Sequence, residues 1–316
     1  MFGVTKVFGH MNKNARREYR TFPKGYYHLS RDGWKEGRLF YTREQYAFGT
    51  ILLGLITVKW ELVIYEYVLM SNHIHVVVGG CGNDIVEGFS YFRTKLSGRL
   101  MQDGYPPLPE EYGFKLVPIE TQEQMRVNIL YLDRNPYEAG ICIPSAYPWG
   151  TAYLHHSTLS PFLQGQKASE FSGRSLSRLC TSKVEIPAQW EFHPDLGLLP
   201  ASFTERSLFK KLFPRPKDYQ TSLVKDYESF VKVGRTLEER MSFSREEIPD
   251  IVNQLLLERY PGRRLYQLSP EEKGVLCAQL YIRYDLDTAQ IAAALSVSEH
   301  LVRQFVFAKD YGRQRR

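Results

Sequence analysis

The sequence has little cysteine, and its few cysteines form no pattern that builds a site. Four cysteines are spread over 316 residues, each in a different segment, and no two of them form a C-x-x-C pair. This spacing excludes a disulfide framework and a zinc knuckle. We therefore expect reduced thiols and a cytoplasmic protein.

The sequence also lacks a hydrophobic run that could cross a membrane. Its most apolar window, Ile51 to Val58, is ended by Lys59 and Glu61 and is too short for a membrane span. The first 24 residues are basic and contain no apolar signal core, so nothing suggests export. The glycine-rich turn at 79–84 is followed by no G-K-[ST] and is not a phosphate-binding loop.

What the sequence does contain is enough apolar material for a packed core. Hydrophobic residues make up 43% and aromatic residues 14% of the chain, which argues against disorder. The net charge is +6 with a pI near 9.0. This balance favours an acidic partner such as nucleic acid over a membrane. The length exceeds the need of one typical domain.

The first half of the chain alternates strand-like and helix-like segments. The pattern predicts strand, helix, strand, strand, helix, strand, which is the order of a ferredoxin-like sandwich in the α+β class. We expect an antiparallel sheet with helices on one face and the other face partly open. The predicted segments are strands at 25–30, 61–70, 73–79 and 114–118 and helices at 41–58 and 85–101.

Two histidines open the third predicted strand. Side chains alternate along a strand, so His73 and His75 share one face while Ile74, Val76 and Val78 point to the core. Imidazoles about 7 Å apart on one face can share one metal ion. A solvated polar face is the commoner explanation of such a pair, but the flanking apolar strands fix this one on a rigid hairpin.

A further helix is predicted after the last strand, with Thr121 as its N-cap and Gly140 as its stop. Tyr131 and Asn135 are four residues apart and share one face of this helix. Pro136 biases Asn135 away from helical geometry, so we expect a kink there that leaves the amide near Tyr131. The alternative reading of Tyr131 is a core aromatic on an amphipathic helix.

These two segments resemble one family. Met70-Ser71-Asn72-His73-Ile74-His75 is similar to the HUH element (His, bulky apolar, His) of single-tyrosine transposases, in particular the REP-associated tyrosine transposases. The family's Tyr-x-x-x-Asn-Pro…Ala-Gly signature is matched by Tyr131 to Pro136 followed by Ala139-Gly140. Pro148-Trp149 resembles its Pro-Trp-Ser-Ser ending, with Gly150-Thr151 in place of the serines. The resemblance spans residues 24–156.

The resemblance implies an enzyme that cleaves and rejoins single-stranded DNA at hairpin or palindromic repeats. Tyr131 would be the nucleophile, and His73, His75 and Asn135 would hold Mg²⁺ or Mn²⁺, although related branches of the family use Gln at the last position. A phenol with a pKa of about 10 is a poor nucleophile, and a cation on the phosphate would help it. In the family the product is a 5′-phosphotyrosine link with a free 3′ hydroxyl. Lesser candidates for the nucleophile, which no motif selects, are Tyr41, Tyr65 and Tyr137.

The end of the chain suggests a second DNA-binding element. Residues 286–308 read as a helix, a three-residue turn and a helix, the pattern of a helix-turn-helix. Its outward residues, His300, Arg303 and Gln304, would meet base edges or phosphates of duplex DNA. An ordinary helical hairpin is the alternative, and Glu299 at the start of the second helix would repel phosphate.

We therefore predict four regions: a basic arm at 1–24, a catalytic HUH domain at 25–156, a connector at 157–220 and a helical domain at 221–316. The connector is expected to contain packed parts such as Trp190 to Leu199. The arm is equally well read as a disordered tail. Arg93, Arg99 and Arg134 are further candidates for DNA contacts. For Arg93 and Arg99 the alternative explanation is a solvated helix face.

Two rival functions stay open. One is a DNA-binding regulator without catalysis, in which the HUH module is a relic. The other is a replication initiator or relaxase, whose families usually place the tyrosine elsewhere. We expect a monomer or a homodimer and no membrane partner.

Overall fold

The computed structural model describes residues 5–7, 23–31, 38–108, 113–155, 163–237, 239, 247–284 and 286–307. Most of the predicted basic arm therefore lies outside the described residues. The chain divides into two compact units, Met1–Leu223 and Val224–Arg316.

The first unit belongs to the α+β class, as the sequence predicted. Its main sheet contains five strands in the order β1-β5-β2-β4-β3, and every neighbouring pair is antiparallel. The strands run over Thr5–Val7 (β1), Lys24–Arg31 (β2), Val63–Leu69 (β3), Ile74–Cys81 (β4) and Phe114–Ile119 (β5).

Three long helices accompany this sheet: α1 at Arg43–Lys59, α2 at Gly82–Gln102 and α3 at Gln122–Glu138. Thr42 and Thr121 each begin a helix with a capping box, in which the threonine side chain and a Gln side chain satisfy backbone N–H groups at the helix start. These caps explain where α1 and α3 begin.

Helices α1 and α2 pack on one face of the sheet. Gly49 of α1 lies against Leu69 of β3, and Phe89 of α2 meets Phe114 of β5 with ring centroids 5.5 Å apart. The same face carries Ile74, Val76 and Val78 of β4, which are fully buried. This layer is the hydrophobic core that the strand alternation predicted.

Helix α3 covers the opposite face, where the sequence predicted a partly open surface. Both faces of β4 are buried from Ile74 to Gly79, because α3 returns across the sheet after β5 and packs on β3 and β4. The helix continues through Pro136 to Glu138. Pro136 lies in the last turn, where it can donate no hydrogen bond to the carbonyl of Leu132, and Gly140 follows with φ +65°.

Residues 163–223 include a segment that packs on α1, and it contains the part of the connector, Trp190 to Leu199, that the sequence predicted to be packed. Thr50 of α1 donates a hydrogen bond to the Leu196 carbonyl at 2.9 Å and accepts one from the Leu198 N–H at 3.1 Å. Leu198 and Trp190 lie directly over Gly54. The elements here are α4 (Gly173–Cys180), β6 (Gln166–Lys167), β7 (Glu191–His193), β8 (Gly197–Leu198), α5 (Ser207–Leu212) and α6 (Pro216–Lys225).

Five α-helices begin in the described residues of the second unit, which contain no strand: α7 (Tyr227–Leu237), α8 (Glu247–Arg259), α9 (Pro270–Tyr284), α10 (Thr288–Leu295) and α11 (Glu299–Phe307). A three-residue turn separates α10 from α11. The apolar sides of these two helices are buried through Ile291, Leu295 and Val302. Phe305 of α11 packs directly on Gly274 of α9. None of the helices described in either unit has the length and apolarity that crossing a bilayer demands.

Candidate metal and nucleophile site

His73 lies in the tight turn that leads into β4. The Ser71 carbonyl accepts hydrogen bonds from Leu39 and Phe40 at 2.6 and 3.2 Å, which pins this turn to the preceding loop. The Nδ1 atom of His73 lies 2.9 Å from Asn72 Oδ1, and its Nε2 atom lies 3.0 Å from Asn135 Oδ1. The imidazole is thus held between the turn and helix α3.

The Asn135 amide has a defined orientation. Its Nδ2 atom donates to the Tyr131 carbonyl at 2.9 Å, so its oxygen faces His73 Nε2. When His73 carries its proton on Nδ1, which faces the Asn72 oxygen, Nε2 presents a lone pair. The lone pairs of His73 Nε2 and Asn135 Oδ1 then face each other across 3.0 Å. Two ligand atoms at about 2.1 Å from one ion and at right angles would be roughly 3 Å apart.

His75 points to the same sheet face as His73, as the alternation predicted, with ring centroids 5.1 Å apart. It is 1% exposed, whereas the sequence predicted an exposed face, because α3 lies over it. Burial lowers the pKa of His75 well below its ordinary value, and the neighbouring His73, His28 and Lys115 lower it further. A neutral imidazole is the form that a metal ion requires.

Tyr131 lies one helical turn before Asn135 and meets the histidines edge-on. Its ring centroid is 5.5 Å from that of His75 and 6.1 Å from that of His28. The side chain is 4% exposed. The structure therefore brings together all four residues that the sequence assigned to the reaction: His73, His75, Tyr131 and Asn135.

His28 of β2 belongs to this group and was missed in the sequence. Its Nε2 atom lies 3.0 Å from His75 Nδ1 and its Nδ1 atom 2.5 Å from Asn128 Oδ1. Burial lowers the pKa of His28 to about 4, and the hydrogen bond with Asn128 opposes this shift. Strand alternation placed His28 on one of two faces, but only the pairing of β2 with β4 shows that this face is the one that carries His75.

A buried lysine adds positive charge beside the histidines. Lys115 of β5 is 7% exposed. Ser30 of β2 is the register partner of both His75 and Lys115, so the three residues lie in one row across the sheet. Sequence reasoning passed over this lysine because it stands in a strand of apolar neighbours.

Among the described residues, no three His, Cys, Asp or Glu side chains form a group that could hold a metal ion. The Asn135 amide oxygen is therefore needed to complete a set with His73 and His75. Two imidazoles and one amide oxygen suit Mn²⁺ better than Mg²⁺. A set of three leaves the remaining positions of an octahedral ion for phosphate and water.

A second buried polar cluster lies on the same sheet face. His155 Nε2 is 2.8 Å from Glu66 Oε2, and the Tyr219 hydroxyl donates to Asp133 Oδ2 at 2.7 Å. Burial raises the pKa of Glu66 to about 8 and lowers that of His155 to about 4. Burial also raises the pKa of Asp133 well above its ordinary value. Both carboxyl groups are thus favoured as neutral hydrogen-bonding groups that tie residues 155 and 219 to the sheet and α3.

The arginines that the sequence proposed for DNA contact lie elsewhere. Arg93 and Arg99 are on α2, across the sheet from the histidines, and Arg99 forms a 2.9 Å ion pair with Asp103. Arg134 is 2% exposed. It bonds Glu138 at 2.8 Å and the Leu223 carbonyl at 3.0 Å. This corrects the expectation for Arg134, whose side chain turns into the protein and anchors α3.

The outward residues predicted for the C-terminal helix are exposed on α11. His300 and Gln304 lie side by side, with their Nε2 atoms 3.1 Å apart. Arg303 forms a 2.7 Å ion pair with Glu299, so part of its charge is offset within the helix. The DNA-binding role of this surface stays a prediction.

The lesser tyrosines have other partners. Tyr41 stacks on Tyr105 at 4.2 Å and Tyr65 meets Tyr26 edge-on at 5.4 Å. The Arg134 guanidinium lies over the ring of Tyr137.

Comparison with known proteins adds no further assignment: no family model, no curated protein and no solved structure matches this chain.

Proposed function

We propose that this protein is a metal-dependent DNA transesterase of the HUH type, which cleaves and rejoins single-stranded DNA through Tyr131. The observation that carries the proposal is the convergence of His73, His75 and Asn135 on one sheet face with Tyr131 against the same histidines. Its sheet supports the proposal, because the order β5-β2-β4-β3 with two helices on one face is the arrangement of a ferredoxin-like sandwich.

The ligand atoms would be the ring nitrogens of His73 and His75 and the amide oxygen of Asn135, with Mg²⁺ or Mn²⁺ as the ion. Bound there, the ion would neutralise charge on the scissile phosphate and orient it. Because all three ligands are neutral, they leave the ion its full charge. Lys115 would add a second positive charge under the same phosphate.

Tyr131 would supply the covalent chemistry. Its hydroxyl oxygen attacks phosphorus, the phenolic proton passes to water, and the bond from phosphorus to the 3′ oxygen breaks. The departing 3′ oxygen takes up a proton, and the 5′ phosphate stays on the tyrosine. Attack by a 3′ hydroxyl on this link reverses the step, so that rejoining requires no external energy source.

Access for DNA is best at the end of the site formed by His73 and Asn135. These two side chains are partly exposed, whereas His75 and Tyr131 are buried. We therefore propose that the phosphate enters over His73 and Asn135, and that the Tyr131 ring turns toward that edge to react. The substrate is a single strand, with a hairpin or palindromic repeat as its recognised form.

The proposal is tested by incubating the protein with a labelled hairpin-bearing single strand and Mn²⁺ and separating the products under denaturing conditions. A covalent adduct is expected with the wild type and with Tyr137→Phe, a matched change on the same helix. Tyr131→Phe, His73→Ala and a chelator should each abolish the adduct. A chain that forms no adduct on any such strand is not this enzyme.

The second candidate is a DNA-binding regulator with a relic catalytic module. The exposed row of His300, Arg303 and Gln304 on α11 favours it, since that surface would bind duplex DNA without any reaction. Duplex binding without any adduct would support this candidate. We further propose a cytoplasmic location and a monomer or homodimer. The relaxase-like alternative predicts the same adduct but a different biological role.

A further inference from the structure

Helix α3 presents one side chain per turn to the row of histidines. Asn128 reaches His28, Tyr131 meets His75 edge-on, and Asn135 reaches His73. Residues three and four apart lie on one stripe of a helix, so these contacts keep the helix in register with the sheet. His28 is the member of this row that the proposed reaction does not use.

The donors and acceptors along the row follow from one fixed amide. Asn128 Nδ2 donates to the Gln124 carbonyl at 2.7 Å, so Asn128 Oδ1 is an acceptor and faces His28 Nδ1 at 2.5 Å. His28 therefore carries its proton on Nδ1 and presents a lone pair at Nε2. That lone pair lies 3.0 Å from His75 Nδ1, where it accepts a hydrogen bond.

We propose that His28, oriented by Asn128, is a positioning residue that holds the proton of His75 on Nδ1 and so leaves His75 Nε2 as the atom that binds the metal ion. A ligating histidine usually donates its other N–H to a fixed acceptor, which sets its tautomer and ring angle. Here another histidine is that acceptor. This inference rests on the proposed function, because it assigns a task to His28 within the same site.

The proposal adds a parallel between the two metal-binding histidines. The Nδ1 atom of His73 faces Asn72 Oδ1 at 2.9 Å, and that of His75 faces His28 Nε2 at 3.0 Å. In both rings the Nδ1 atom faces an acceptor, and the proposal assigns the Nε2 atom to the ion. The Asn72 contact comes from the adjacent residue, whereas the His28 contact requires the β2–β4 pairing.

The first experiment reads the tautomer directly in the metal-free full-length chain labelled with ¹⁵N-histidine. The signals of His75 and His28 are assigned by single substitution among the eight histidines. We expect His75 in the Nδ1–H form in the wild type and a change of that form in His28→Phe, which keeps an aromatic ring but no acceptor. A wild-type His75 protonated on Nε2 would overturn the proposal.

The second experiment measures Mn²⁺ affinity by titration calorimetry. His28→Phe should bind Mn²⁺ about 10–100-fold more weakly, the usual loss for an outer partner of a metal ligand. His28→Gln offers an acceptor to His75 Nδ1 and should recover most of that loss. Equal affinity in His28→Phe and the wild type, or equal loss in both variants, would contradict the positioning role.

The two experiments separate this inference from the proposed function. If the wild type binds no Mn²⁺ and forms no DNA adduct, the enzyme proposal fails, while the His75 tautomer still reports whether His28 positions it. If His28→Phe does not fold, Asn128→Ala tests the same row from the half-exposed helix side. It should weaken Mn²⁺ binding several-fold, and the exposed change Glu123→Gln on the same helix should not. Unchanged Mn²⁺ binding in a folded Asn128→Ala protein would contradict the claim that Asn128 and His28 position His75.

Discussion

The Asn135 amide makes two contacts, one through its nitrogen and one through its oxygen, and only one orientation of the amide allows both. The Nδ2 group is engaged by the Tyr131 carbonyl, and the oxygen faces His73 Nε2 at 3.0 Å. When His73 carries its proton on Nδ1, this contact brings two lone pairs together, an arrangement that a bound cation would stabilise.

Replacement of Asn135 by Asp tests whether this oxygen binds the ion. A carboxylate is a harder and charged ligand, so Asn135→Asp should bind Mg²⁺ and Mn²⁺ more tightly than the wild type. The ion would lose one unit of net charge toward the phosphate, so adduct formation should fall at least tenfold. Titration calorimetry and the adduct assay measure the two effects.

The control for this change is Asn135→Ala, which removes the ligand and should lower both metal affinity and adduct yield. The ligand assignment would be wrong if Asp and Ala gave the same affinity.

Glu66 makes a prediction about the pH dependence of stability. Burial raises its pKa from 4.5 to about 8, so the folded chain keeps a proton that the unfolded chain releases. The free energy of unfolding should therefore fall as the pH rises between these values, by on the order of 1 kcal/mol per pH unit. His155, with its pKa lowered to about 4, acts below pH 6.5 in the opposite sense.

Thermal unfolding of the wild type and Glu66→Gln between pH 6.5 and 8.5 measures the Glu66 effect as the difference between their slopes. Wild-type Tm should decrease across this window, and Glu66→Gln, which keeps the hydrogen bond but cannot ionise, should show a smaller decrease. Asp133 contributes a slope of the same sign, so some decrease should remain. Parallel slopes in the two proteins would show that Glu66 is ionised in the folded state at the lower pH.

At the scale of elements, the sequence predicted the helices and strands of residues 25–140 closely. Alternation along β4 and the threonine caps of α1 and α3 are local signals, and the structure has each element near its predicted place. The partner of each strand is not a local property. The β2–β4 pairing that brings His28 to His75, and the return of α3 over the sheet, could not be predicted from periodicity.

The same limit applies to residues 163–223. Their serine, glycine and proline content is typical of a linker, and their strands are only two or three residues long. Their packing depends on distant partners such as Thr50 and Gly54 of α1. Arg134 was misassigned for a similar reason, since its acceptor at Leu223 is far along the chain.

Two glycine substitutions test whether this segment is part of the folded unit. A Cβ at Gly54 would collide with the Leu198 side chain, whereas a Cβ at Gly98 of α2 would meet nothing within 4 Å. Gly54→Ala should cost about 1–3 kcal/mol of stability through overpacking. Gly98→Ala should be stabilising by up to about 1 kcal/mol, because alanine is the better helix former.

Chemical denaturation of the two variants measures both effects. A Gly54→Ala protein that gains stability as Gly98→Ala does would mean that Leu198 and Trp190 do not pack on α1.

At the scale of the whole molecule, two compact units carry two different candidate activities. Residues up to Leu223 contain the histidines and Tyr131, and the helical unit contains the exposed row on α11. If the second unit binds duplex DNA, then its outward residues should affect binding of duplex DNA and leave the tyrosine chemistry unchanged.

The combined change His300→Ala and Arg303→Ala tests this division. Duplex affinity should fall by about tenfold or more, since each good base or phosphate contact contributes roughly 1–3 kcal/mol, while adduct formation on a single strand should persist. Arg263→Ala, which removes an exposed arginine paired with Glu272 in the same unit, serves as the control. Equal duplex binding by all three proteins would leave the C-terminal unit as an ordinary helical hairpin.

The most direct measurement of the central claim is mass spectrometry of the protein after reaction with a hairpin-bearing single strand and Mn²⁺. Nuclease trimming and proteolysis should yield a peptide that contains Tyr131 with a nucleotide attached through its 5′ phosphate, and the released strand should end in a 3′ hydroxyl. A nucleotide on Tyr41, Tyr65 or Tyr137, or a fully reacted strand with no modified peptide, would contradict the account.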